Sequence, residues 1–350
     1  MRILVDLNHP AHVHLFKHAI QEWQTRGEKV LITARDKEVV LQLLDSLGFG
    51  YRLTTKMGQG WLGFAREAIT LDIKVLMAAR EFDPDFLIGT SFAISHVSKL
   101  VRGRSIVFAE DDVGSSRVFW SATRPFADCI VTPDTILDNL GRKHIRYAGC
   151  QELAYLHPSR FRPNSSVLRE QGLSEDEAFS IIRFVSLRAI HDIGQRGIRI
   201  ELARQLVKVL GEKGRVIISS EGALPSEFES LKLRVNPEKF HDLLAYAHIF
   251  VSDSQSMTIE AAVLGVPSVR INSFVGRTPV IEELEDSYGL TFGFRPEAEL
   301  EAIKKVRELL TDQYTKKLWK KRRKKLLQEK LDLTPWMINL VDRLHQDKHL

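Results

Sequence analysis

Two cysteines among 350 residues, Cys129 and Cys150, are too few for a disulfide framework or a cysteine zinc site, and they read as reduced, small core residues. No apolar run approaches the ~20 residues that a membrane span requires. The chain opens Met1-Arg-Ile-Leu-Val-Asp6, where an aspartate falls too early for the apolar core of a signal peptide, so a cytoplasmic protein is expected. Low-complexity segments and short repeats are missing as well. What remains is 44% hydrophobic and 27% charged, the composition of a soluble globular protein. A chain of 350 residues exceeds the usual size of one hydrophobic core, so two domains are expected.

An excess of positive charge is also missing outside one place. Lys316, Lys317, Lys320, Lys321, Arg322, Arg323, Lys324 and Lys325 supply eight cations in ten positions; without them the 50 basic residues fall to 42 against 45 acidic ones. A mildly acidic body excludes a broad basic face, and no specific nucleic-acid partner is expected. Within the run, Leu318, Trp319, Leu326 and Leu327 recur one and two turns apart in helix-forming sequence. Two readings stand: a solvated helix face, or a basic amphipathic helix resting on an anionic membrane surface, each cation contributing about 1 kcal/mol with Trp319 at the interface.

Short apolar runs without polar alternation, at 3–7, 30–33, 86–88, 105–108 and 129–131, read as parallel strands covered on both faces. Helical stretches at 13–24, 38–47, 64–80 and 92–101 fall between them. The segment 157–166, with two prolines among polar residues, reads as a linker. The pattern then restarts, with strands near 180–187, 215–219, 248–252 and 268–271 and helices near 198–210, 237–245 and 258–264. This is an α/β fold of two Rossmann-like, doubly wound domains facing a cleft, and ligands in such sheets sit beyond the carboxyl ends of strands.

Four segments follow strands. The most informative is Val251-Ser-Asp-Ser-Gln-Ser-Met-Thr-Ile-Glu260, in which Ser254 reads as the N-cap of a helix that Gly265 stops. Its first turn offers unpaired N–H groups and the positive end of the dipole, with Ser254, Gln255 and Ser256 beside them, an outline suited to phosphate. Glu260 lies one turn after Ser256, where its carboxylate can accept hydrogen bonds from ribose hydroxyls. The second segment, Asn8-His-Pro-Ala-His-Val-His14, holds His9, His12 and His14 at the end of the first strand. A helix start disfavours protonated imidazole, so His12 suits a general base, whereas His14 either assists or packs. Three histidines there cannot converge on a metal without a carboxylate, and none is obvious locally. The third segment, Ala109-Glu-Asp-Asp112, offers Glu110 as an acid/base candidate, while a neighbouring acid caps a helix at 114–117. In the fourth, Ser186-Leu-Arg-Ala-Ile-His-Asp192, Arg188 can pair with a pyrophosphate bidentately. The literal G-x-G-x-x-G at 58–63 does not follow the first strand and is not a dinucleotide fingerprint.

Taken together, Asn8 to Phe16, the Phe108-Ala-Glu-Asp-Asp112 turn, Ala127 to Pro133, Arg146 to Leu156 and Ser252-Asp-Ser-Gln-Ser256 resemble an uncharacterised bacterial and archaeal family of predicted glycosyltransferases. That family lies in the GT-B superfamily, beside the UDP-N-acetylglucosamine 2-epimerases and the peptidoglycan-precursor N-acetylglucosaminyltransferase. The resemblance implies an acceptor domain over 1–160, a nucleotide-sugar domain over 161–332 and a final segment, 333–350, whose helix returns to the first domain. It puts His12 at the base position, Ser254 to Ser256 on phosphates and Glu260 on ribose; Asn8 and Arg188 are expected as further substrate contacts on their own position after strands. Gln255-Ser256 stand where the epimerases have glycines, and Gly89-Thr-Ser91 where they carry Gly-Asp-Thr, so one catalytic aspartate is missing; Glu110 matches the glutamate of their Val-Glu-Ala-Gly turn. The expected activity is inverting, metal-independent transfer from a nucleotide-sugar, a UDP-sugar foremost, to a glycan or lipid-linked acceptor, without a cofactor. A UDP-sugar 2-epimerase-like enzyme and a nucleotide-sugar-binding protein without turnover are the alternatives.

Overall fold

The computed structural model describes residues 1–37, 39–56, 60–185 and 197–347, with the backbone alone at 60–62, 64 and 65. The chain divides into two compact units, Met1–Tyr155 with Leu331–Leu350, and Leu156–Lys330.

In the first unit seven parallel strands run β1 (Arg2–Leu7), β2 (Lys29–Asp36), β3 (Tyr51–Lys56), β4 (Phe86–Gly89), β5 (Arg104–Phe108), β6 (Cys129–Pro133) and β7 (His144–Tyr147), in the spatial order β3-β2-β1-β4-β5-β6-β7. Helices α1 (Pro10–Thr25), α2 (Val40–Ser46), α3 (Gly60–Phe82), α4 (Phe92–Val97) and α5 (Arg117–Thr123) connect them. Ile3, Leu4, Val5 and Leu7 are fully buried, as a central parallel strand covered on both faces requires. In α1, His9 is the N-cap and accepts from the Ala11 amide at 3.2 Å, while Pro10 sits in the first turn, where its missing N–H leaves nothing unpaired. Its inner face buries Phe16, Ile20 and Trp23, each contributing roughly 1.5–3 kcal/mol.

The second unit repeats the plan with β8 (Phe179–Phe184), β9 (Arg215–Ser220), β10 (Ile249–Ser252), β11 (Ser268–Ile271) and β12 (Thr291–Phe294), ordered β12-β11-β10-β8-β9 and all parallel. Around it lie α6 (Ser166–Gln171), α7 (Ile200–Gly211), α8 (Phe240–Leu244), α9 (Gln255–Leu264), α10 (Pro279–Asp286), α11 (Glu299–Thr311) and α12 (Thr315–Glu329). A last helix, α13 (Leu333–Gln346), goes back to the first unit, where Thr334 donates to the Ala154 carbonyl at 2.7 Å and Met337, Leu340 and Val341 are buried. The doubly wound α/β architecture is the one that the sequence predicts.

In each sheet the chain leaves a central strand in one direction and later returns on its other side. These switch points, between β1 and β4 and between β8 and β10, leave an opening at the carboxyl ends of the strands, where ligands of such folds bind.

Candidate functional site

At the first switch point β1 ends in Asp6-Leu-Asn8 and runs directly into α1. The buried Asp6 carboxylate accepts from Asn8 Nδ2 at 2.6 Å, Thr33 Oγ1 at 2.7 Å and Ser91 Oγ at 2.6 Å. One side chain thus ties together the ends of β1, β2 and β4. Burial raises its pKa, and the three hydrogen bonds only partly counter this. Gly89 is required beneath it, because a Cβ there would lie 2.8 Å from the Asp6 carbonyl oxygen.

His12, on the first turn of α1, is held over this platform. The Asn8 amide approaches its Nδ1 at 3.4 Å, and Thr90 Oγ1 lies 2.7 and 2.8 Å from Nδ1 and Nε2, so the hydroxyl can serve either ring nitrogen. Burial drives the His12 pKa well below the ordinary imidazole value, and the positive groups of His9, Lys37 and Arg35 push the same way. The ring is therefore a neutral base at physiological pH. His14 does not join it; its ring stacks on Tyr155 with centroids 5.2 Å apart. His9 is occupied as the N-cap.

Glu110 follows β5, two strands from β1 across the sheet. Its Oε1 accepts from the Gln151 amide, yet burial lifts its pKa to about 8, with Asp111 adding to the shift. Among the candidates it is the one that carries a proton at neutral pH, an acid rather than a base. The neighbouring acids shape a turn: Asp112 accepts from the Ser115 amide at 2.6 Å and Asp111 from Ser116 Oγ at 2.7 Å. The helix expected at 114–117 begins only at Arg117, because those bonds stabilise a turn first.

The second switch point has a matching design. Asp253 is buried, accepts from the Val185 amide at 2.8 Å and the Ile198 amide at 3.4 Å, and its carbonyl receives Asn272 Nδ2 at 2.8 Å. Burial raises its pKa to about 6. Gly197 must be glycine, since a Cβ would come within 2.3 Å of the Asp253 carboxylate. On this base α9 starts as expected: Ser254 Oγ accepts from the Met257 amide at 3.3 Å, and Gly265 ends the helix at φ 78°. Ser254 is thus spent as a buried cap, whereas the amides of Gln255 and Ser256, in the first turn, have no acceptor within the helix. Gln255 Oε1 takes the Thr278 hydroxyl, tying α9 to the loop before α10. Glu260 is buried and paired with His241 Nε2 at 2.9 Å. Arg188 lies outside the described residues.

The basic helix departs from the amphipathic expectation. Trp319 is buried and donates its indole N–H to the Leu290 carbonyl at 3.0 Å, and Leu326 is buried too. Arg323 Nε reaches the Val263 carbonyl at 2.8 Å, Arg322 the Gly289 carbonyl at 2.7 Å and Lys325 the Ser287 carbonyl at 3.1 Å. Those oxygens lie at and just beyond the C-terminal ends of α9 and α10, where cations are favoured. Lys316, Lys317, Lys320, Lys321 and Lys324 remain exposed.

Asp6, Asp253 and Asn272 were not singled out from the sequence. The available signal was an acid inside the apolar run Ile3-Leu-Val-Asp-Leu7 and another directly after Ile249 to Ser252.

Residues 1–274 match the family described as "Protein of unknown function (DUF354)". The chain belongs to that family. No curated protein matches the sequence. Among solved structures, the UDP-GlcNAc 2-epimerase of Neisseria meningitidis bound to UDP-GlcNAc is similar at 15% identity and a TM-score of 0.63, over 91% of this chain and 94% of that one. The Methanocaldococcus jannaschii UDP-GlcNAc 2-epimerase, in complex with UDP-GlcNAc and UDP, gives 14% and 0.64 over 89% and 94%. The calicheamicin glycosyltransferase CalG4 gives 12% and 0.63 over 100% and 99%. At such identities the likeness establishes a shared two-domain α/β fold and nothing further.

Proposed function

We propose that this member of the family is an inverting glycosyltransferase that moves a sugar from a nucleotide-sugar, a UDP-sugar foremost, to a glycan or lipid-linked acceptor in the cytoplasm, without a metal. The observation that carries the reading is Thr90 against His12. A hydroxyl stands where the resemblance to the epimerases expects a carboxylate, so the imidazole stays neutral and can take one proton. Transfer needs that much: His12 deprotonates the acceptor hydroxyl, and the departing diphosphate is stabilised by the amides at the start of α9 with Ser256 beside them, Arg188 being a further partner expected from the sequence. Epimerisation at C2 needs a proton removed and another returned, and Thr90 stands where the resemblance to the epimerases expects the aspartate for one of those transfers. Incubation of UDP-sugars with the enzyme in deuterated water should leave C2 unlabelled while donor is consumed once an acceptor is supplied. Deuterium entering C2 at a catalytic rate would establish the epimerase reading instead.

Glu260 supports the nucleotide half of this reading, since a buried carboxylate fixed by His241 is preorganised to accept ribose hydroxyls. Glu260→Gln should weaken UDP about tenfold more than its 2′,3′-dideoxy analogue, a loss in keeping with hydrogen bonds to a charged group. Equal losses for the two ligands would remove Glu260 from that role.

A further inference from the structure

The exposed face of α3 carries an apolar stripe that the unit's core does not use. Leu71, Val75, Ala78 and Ala79 point inward and join the cluster around Leu4, Leu87 and Val107. On the opposite side Ile69, Ile73 and Met77, spaced four residues apart and therefore stacked along one face, are 63%, 52% and 64% exposed. Scattered exposed apolar residues are ordinary; these three, in line on one helix, make a contiguous apolar stripe.

The charges beside the stripe that make no ion pair among the described residues are cations. Arg66, Lys74 and Arg80 are exposed beside it and make no ion pair among the described residues. Of the acids on the same helix, Glu67 is ion-paired with Arg35 at 2.5 Å and Glu81 with both guanidinium nitrogens of Arg52 at 2.6 Å, while Asp72 meets His96 Nδ1 at 2.9 Å. What α3 offers outward is an apolar centre with three unopposed cations.

We propose that this face of α3 docks the protein on an anionic lipid bilayer. Apolar side chains settle into the boundary between headgroups and acyl chains while flanking Lys and Arg meet the anionic headgroups, the division of labour of interfacial helices. The basic helix α12 supplies only half of this, because Trp319 and Leu326 are turned into the second unit and leave charge without an apolar stripe. A second copy of the chain fits the α3 face poorly: a two-fold contact sets a patch against itself and would bring Arg66, Lys74 and Arg80 against their own images. The proposal stands apart from the sugar chemistry, since it rests on residues with no assigned part in it.

Sedimentation of the full chain with vesicles of phosphatidylcholine alone, or mixed with phosphatidylglycerol, tests the proposal. Binding should require phosphatidylglycerol and decline with salt. Replacing Arg66, Lys74 and Arg80 with glutamine should lower vesicle affinity roughly a hundredfold, as expected for three cations near an anionic surface. Ile69→Ser with Ile73→Ser and Met77→Ser should lower it at least tenfold. Glutamine at Lys316, Lys317, Lys320, Lys321 and Lys324 serves as the comparison. Loss of binding in the α3 variants, whatever the α12 variant does, supports the proposal. No binding to phosphatidylglycerol vesicles at low salt overturns it, and so does binding that disappears only with the α12 lysines. A dimer in solution that Ile73→Ser dissociates, without vesicle binding, would assign the face to a second copy. All these positions are on the surface, so unchanged melting temperatures separate docking from folding.

Discussion

Replacing His12 with alanine lowers the turnover of sugar transfer by roughly 10²–10⁴-fold, the usual worth of a positioned general base, while donor affinity changes little because His12 serves the acceptor. The pH dependence gives the finer check. A base acts when deprotonated, and burial together with His9, Lys37 and Arg35 holds the His12 pKa well below the ordinary value. The rate should therefore stay level from neutral pH down through about 6.5, where a solvated histidine would already be half protonated, and fall only in more acidic solution. Thr90→Asp sets a carboxylate beside the ring, favours the imidazolium and moves that acidic limb to higher pH. An alanine variant with near-parental turnover, or an acidic limb indifferent to Thr90→Asp, would exclude His12 as the base.

The sequence made the central strands legible, and of the four edge strands only Arg215–Ser220. Residues 3–7, 86–88, 105–108 and 249–251 are apolar runs because both of their faces are covered, and burial leaves a plain signature. The strands that escaped notice, Tyr51–Lys56, His144–Tyr147 and Thr291–Phe294, are all sheet edges. An edge strand is half solvated and tolerates arginine, lysine, histidine and threonine, which erase the apolar run and also discourage pairing with other chains. The α9 start was legible for the opposite reason. A serine cap, a short helix and a left-handed glycine are local devices, each fixed by its own residues, and the structure reproduces all three at Ser254 and Gly265.

The organisation beneath the candidate residues was hidden because it is made of long-range contacts. Asp6 gathers Thr33 and Ser91 from strands far apart in sequence, and Asp253 gathers Val185, Ile198 and Asn272. Both sheets thus place a buried carboxylate at the switch point, fixing the neighbouring loop ends. Motif reading found His12 and Ser256, the groups that such platforms present, and passed over the platforms. Trp319 was misread for a related reason: an aromatic within a basic run looks interfacial until the Leu290 carbonyl that it binds is known.

Ser256→Asp should abolish nucleotide binding while leaving the fold as stable as before or slightly more so. Ser256 lies in the first turn of α9, where a carboxylate is favoured by the helix dipole by about 0.3–1 kcal/mol, so the folded chain loses nothing. A diphosphate seated on the Gln255 and Ser256 amides would then meet a like charge a few ångströms away. At an effective dielectric of about 20 that repulsion is on the order of 3–4 kcal/mol, enough to weaken UDP at least a hundredfold. Thermal denaturation reads both effects in one experiment. The parent should gain about 2.7 kcal/mol of stability when UDP is present at a hundred times its Kd, whereas the variant, melting no lower than the parent without ligand, should gain almost nothing at the same concentration. A variant stabilised by UDP as strongly as the parent would mean that the diphosphate is held elsewhere, and the start of α9 would keep only its structural part, with Ser254 as its cap.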